Sequence, residues 1–99
     1  MKLQMHSIHF DADTKLLDFV QKKVNKLETF YDRVVDGEVF LKLNNEGIEN
    51  KTVEIKINMP GSQIFAKEDA QSFEKATDLT TEALRRQIKK YKEKIQVKH

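Results

Sequence analysis

Residues 85–99 read Arg-Arg-Gln-Ile-Lys-Lys-Tyr-Lys-Glu-Lys-Ile-Gln-Val-Lys-His. Seven of them are Lys or Arg (Arg85, Arg86, Lys89, Lys90, Lys92, Lys94 and Lys98) and one, Glu93, is an acid, a net charge of +6. Residues 1–84 carry eleven Lys or Arg and fifteen Asp or Glu, a net −4. A chain of net +2 is therefore strongly polarised. Cations at this density can hold an anion, and RNA is the polyanion they suit best. Ile88, Tyr91 and Ile95 keep helical spacing through the stretch, so one face can stay in a core while the cations point outward.

Other chemistry finds little support. His6 and His9 are three apart on an expected strand, so they point to opposite faces and share no metal. Ser7, Ser62 and Ser72 have no base nearby in sequence, and Gly37, Gly47 and Gly61 are isolated turn residues, not a phosphate loop. No cysteine offers a thiol, a disulfide or a soft metal ligand. We expect no catalytic residue, no metal, no cofactor and no small-molecule substrate. Met1-Lys2 opens no apolar leader, and no run is long enough to span a bilayer. A cytoplasmic protein with no membrane partner is expected.

The positions of these cations depend on six elements within one domain, residues 1–99. Residues 3–10 alternate as a strand, with Leu3, Met5 and Ser7 on one face and Ile8 and Phe10 on the other. Asp13 caps a helix over residues 14–31. Its apolar arc is Leu16, Leu17, Val20, Val24, Leu27 and Tyr31, edged by Phe19 and Phe30. Residues 38–43 and 52–59 form a hairpin around a loop at 44–50, and Val53, Ile55, Ile57 and Met59 face inward. Pro60-Gly61 turns into a short strand at 62–67. From about residue 69 to 95 the period is helical, with Phe73, Thr77, Thr80, Thr81, Leu84, Ile88, Tyr91 and Ile95 in one arc.

The order β-α-β-β-β-α gives an α+β fold. A right-handed crossover makes the first two strands parallel, and short connections make the last three an antiparallel meander. Each helix has a single apolar face, so both cover the same side of a four-stranded sheet, in outline like a double-stranded-RNA-binding domain. Phe40, Lys42, Glu54, Lys56 and Phe65 then face water.

Cations flank both helices. Lys22 and Lys26 fall beside the first apolar arc, and Lys23 falls toward Phe19 and Phe30. Arg86, Lys90 and Lys94 line one flank of the last helix, and Arg85, Lys89 and Lys92 line the other. Arg86, Lys90 and Lys94 are expected to join Lys23 and Lys26 in one patch. The helix macrodipole accounts for acids first (Glu74, Asp78, Glu82) and cations last. Six cations in residues 85–94 exceed what capping needs. Tyr91 is expected in the core rather than against a base. A protein-interaction module using the same basic patch is the alternative to RNA binding.

The chain resembles the ribosome hibernation promoting factor/protein Y family in its short form. The resemblance spans nearly all 99 residues. It rests on Phe19-Val20-x-x-Lys23-x-x-Lys26-Leu27-Glu28, Phe30-Tyr31-Asp32-Arg33 and Arg86-Gln87-Ile88-x-Lys90-Tyr91-Lys92-Glu93-Lys94, with Gly61 and Ala76-x-Asp78. It implies a factor in the tRNA and mRNA channel of the small ribosomal subunit, blocking translation and protecting idle ribosomes. It implies that Lys23, Lys26, Arg33, Arg86, Gln87, Lys90, Lys92 and Lys94 face ribosomal RNA. A monomer when free is expected. Where the family usually carries an Asp and a Tyr, this chain has Ser72 and Glu74, so contacts made there do not carry over. With the sequence ending at His99, no ribosome-pairing C-terminal domain is expected.

Overall fold

The computed structural model describes residues 1–97. Strand β1 (Lys2–Ile8) leads to helix α1 (Thr14–Asn25) and a 3-10 turn (Lys26–Thr29). Strands β2 (Asp36–Leu43), β3 (Lys51–Met59) and β4 (Ser62–Ala70) precede helix α2 (Phe73–Val97). The sheet order is β1-β2-β3-β4, with β1 and β2 parallel and the remaining pairs antiparallel. Both helices cover one face, as expected. One core joins Val20, Val24 and Leu27 to Val39, Leu41, Val53, Ile55 and Ile57 of the sheet and to Leu84 and Ile88 of α2.

Local chemistry sets the boundaries. The Asp13 carboxylate accepts the Leu16 N–H at 2.8 Å, capping α1 as expected. The α-helix does not run on to residue 31. The Phe30 N–H bonds the Leu27 carbonyl, three residues back, and the Thr29 hydroxyl donates to the Lys26 carbonyl at 2.7 Å. The chain therefore tightens into a 3-10 turn while Leu27 stays buried. Strand β1 stops at Ile8 because His9 takes φ +69°. The reversal brings Phe10 off Ile8's face and onto the Phe73 ring, stacked at 4.6 Å.

Strand β4 is longer than the expected 62–67. Glu68 and Asp69 lie beyond the expected strand, yet both pair with β3, and the Thr52 hydroxyl donates to Asp69. Helix α2 accordingly starts later, with the Ser72 hydroxyl accepting the Lys75 N–H at 3.0 Å. Ile95, expected in the apolar arc, is exposed, because among the described residues the last buried one in α2 is Ile88 and the helix continues past the body.

On the uncovered sheet face, His6 stacks on Phe40 and Lys56 lies 5.7 Å over the same ring. The expected outward residues do lie on this face. No helix among the described residues is long and apolar enough to cross a membrane.

Gly37 marks the tightest point of the sheet. It lies between Leu3 and Ile57 on neighbouring strands. A Cβ there would meet Leu3 Cδ2 and Ile57 Cδ1 at 2.8 Å and the Lys56 carbonyl oxygen at 2.9 Å. The side-chain tips can move, but the carbonyl belongs to the β3 backbone. Gly37→Ala should therefore cost about 1–3 kcal/mol by overpacking. Urea unfolding would show it as a lower midpoint with unchanged slope, and an unchanged midpoint would contradict the packing.

Candidate nucleic-acid interface

The two helices lie side by side and run in the same direction. Lys23 of α1 pairs with Asp78 of α2 at 3.0 Å, and seven residues farther along each chain the Phe30 ring lies 5.8 Å from the Arg85 guanidinium. Between them runs a groove. Its first half has walls of Lys23, Lys26, Thr29 and Phe30 facing Asp78, Glu82 and Arg85, over Leu27 and Thr81. Its second half is lined by Phe30, Arg85, Ile88, Lys89, Lys92 and Glu93.

The charges along this groove are not equivalent. At its acidic end Lys23 is half-buried, paired with Asp78 and 5.5 Å from the Phe19 ring. Arg85 donates through Nε and Nη2 to the two oxygens of Glu82. That hydrogen bond holds the Glu82 carboxyl below its usual range, and Glu82 in turn raises the Arg85 guanidinium. Past Arg86 the compensation by ion pairs ends among the described residues. Among the described residues no ion pair involves Lys26, Lys89, Lys90, Lys92 or Lys94. Positive potential therefore builds toward the C-terminal half of α2.

The cation set facing Lys23 and Lys26 is Arg85, Lys89 and Lys92. This corrects the expectation that Arg86, Lys90 and Lys94 join that patch. At 100° per residue they fall on the opposite flank of α2, exposed, with Arg86 Nη1 3.9 Å from Glu82. Lys22 is exposed on α1 outside the groove.

Arg33 follows the 3-10 turn and lies close enough to Tyr91 to act on its phenol. The neighbouring Tyr31 phenol raises the Tyr91 pKa most, burial adds to it, and Arg33 opposes both. Tyr91 packs as expected. Its ring meets Tyr31 edge-on at 5.3 Å, and its hydroxyl donates to the Pro60 carbonyl at 2.8 Å.

Gln87 is occupied elsewhere. Its amide donates to the Phe65 carbonyl at 2.7 Å and accepts the Phe65 N–H at 3.3 Å. The side chain thereby imitates one residue of a further strand along the open edge of β4, where unpaired backbone would otherwise be exposed.

The residue that sequence reasoning missed is Phe30. Periodicity puts it at the rim of the α1 arc, but the 3-10 turn leaves it 41% exposed between the cations of both helices. Nothing in the helical spacing signals that tightening. No cluster of residues able to hold a metal occurs among the described residues.

Comparison with known proteins adds an independent line. The family profile described as "Sigma 54 modulation protein / S30EA ribosomal protein" matches residues 3–96. A "Ribosome hibernation promoting factor" of Pseudomonas putida is 29% identical over 96 residues, covering 97% of this chain and 91% of that protein. A "Ribosome hibernation promotion factor" of Bacillus subtilis is 30% identical over 95 residues, covering 96% of this chain and 50% of that protein. A ribosomal subunit interface protein from Coxiella burnetii superposes with a TM-score of 0.84 at 26% identity, over 93% of this chain and 98% of that one.

Proposed function

The chain belongs to the Sigma 54 modulation protein / S30EA ribosomal protein family, and on that premise we propose that it is a ribosome hibernation factor. It binds ribosomal RNA of the small subunit in the tRNA and mRNA channel, inhibits translation and protects idle ribosomes. Residues 1–99 act as one ribosome-binding unit, cytoplasmic and monomeric when free. It carries no enzyme activity and needs no cofactor, small-molecule substrate or membrane.

The observation that carries this reading is the graded cationic groove, in which Lys26, Lys89 and Lys92 stand without acidic partners among the described residues. Lysines held on two parallel helices can contact phosphates along a backbone without reading bases. Arg33, Arg85 and the outer-flank residues Arg86, Lys90 and Lys94 extend the contact around the same end, and Lys22 and Lys23 extend it along α1. Gln87 serves by fixing α2 against β4.

Co-sedimentation with small subunits at graded salt, with and without bound tRNA, tests the reading. If Lys26, Lys89, Lys90, Lys92 and Lys94 each neutralise one phosphate, the log–log slope should be about −4. Bound tRNA should displace the protein. Salt-insensitive binding, or none, would instead favour a protein-interaction module.

A further inference from the structure

We propose that the second half of the interhelical groove is a seat for a single unpaired nucleotide of an RNA strand, its base stacked on Phe30 and its phosphates held by Lys89 and Lys92. The inference rests on the ribosomal-RNA reading above and names the part of that RNA this pocket takes.

The pocket is lined by Phe30, Arg85, Ile88, Lys89, Lys92 and Glu93 and has a volume of about 290 Å³. That is the low end for a small-molecule pocket, so it suits one planar ring rather than a larger ligand. Its exposed apolar side chain is Phe30, and fully buried Ile88 lies beneath it. An aromatic this exposed leaves apolar area in water that a flat partner would cover. The Arg85 guanidinium lies over one face of that ring, held by two hydrogen bonds to Glu82, so a base can stack on the other face or against the guanidinium plane. Base stacking uses both kinds of surface.

The rim supplies the matching charge. Lys89 and Lys92 are three apart on a helix, so their Cβ atoms lie about 5–6 Å apart and the two ammonium groups can reach neighbouring phosphates. Glu93 is the one acid lining the pocket. It repels phosphate from its side and can accept an N–H from a base edge. In a duplex the base faces are hidden, so only a splayed or single-stranded nucleotide can use the Phe30 face.

The test uses a short single-stranded RNA carrying one 2-aminopurine, the same RNA annealed to its complement, and free AMP. The single strand should bind with quenching of the 2-aminopurine, and duplex and AMP should bind much more weakly. Phe30→Ala should weaken single-strand binding by about tenfold or more and remove the quenching. Phe30→Tyr should restore both. Unchanged circular dichroism would show that the exposed site was altered without unfolding. Equal affinity of wild type and Phe30→Ala, or of single strand and duplex, would overturn the seat, and AMP binding as tightly as the strand would overturn an RNA source. Small-subunit co-sedimentation of the wild type, run in parallel, separates the two readings. Its loss would overturn the ribosome reading whatever the oligonucleotide does, and its persistence with a failed oligonucleotide arm would overturn the seat alone.

Discussion

Reversing Lys26 and Lys89 to glutamate together should lower small-subunit affinity on the order of a hundredfold near 0.1 M salt and flatten the salt slope by about two. These lysines stand on opposite walls of one groove, and neither has an acidic partner among the described residues. Each reversal removes a phosphate contact and places a like charge against the backbone. A concave surface focuses its field, so the groove pair should matter more than the outer pair Arg86 and Lys90. Both are exposed, and the fold should survive. Glutamate at Lys51 and Lys67 is the control. Lys67 lies 3.7 Å from Glu54 on the uncovered sheet face, and neither residue lines the groove. Equal weakening by all three pairs would mean that only net charge is at work and that the groove is not the site.

Leu84→Ala should produce the largest loss of stability. Leu84 is fully buried where α2 meets the rest of the core. Truncation removes transfer free energy and leaves a cavity that the sheet beneath cannot fill, for about 2–5 kcal/mol. A domain of this size is stable by only about 5–15 kcal/mol. The melting temperature should fall by roughly 10–25 °C. A fall of less than about 4 °C, equivalent to under 1 kcal/mol, would show that Leu84 does not carry the packing described here. Circular dichroism melts read it directly.

The sequence made the element types and their order legible because binary patterning is strong here. Val53, Ile55, Ile57 and Met59 alternate without interruption, and all four are buried. The single apolar arc of each helix correctly put both on one side of the sheet. Misplaced details lay where local hydrogen bonds compete with periodicity. The 3-10 turn after Asn25 depends on the Thr29 hydroxyl, and Phe10 was turned over by one left-handed residue, His9. Polar Glu68 and Asp69 concealed the end of β4, because an edge strand can carry charge along one side.

The candidate site was legible as composition but not as geometry. Which flank of α2 faces Lys23 depends on how the helices roll against each other, and spacing along one helix does not specify that. Gln87 fell at the margin of the apolar arc. Its partner, Phe65, is twenty-two residues away, so only the tertiary fold reveals what it holds.

Because the helices run in the same direction, their peptide dipoles add, although α2 runs on to Val97, well past the end of α1 at Asn25. The aligned peptide dipoles leave about half a unit of negative charge at each C-terminus, roughly one unit in all. Residues 85–97, the C-terminal half of α2, carry a net +5, against a net −4 over residues 1–84. Side-chain charge therefore outweighs backbone charge, and the molecule, whose longest extent is 49 Å, carries a large permanent moment along the helix axes. A field from a polyanionic body exerts a torque on such a particle before any contact is made. During approach the molecule rotates cation-end first, so more of its collisions begin in a productive orientation.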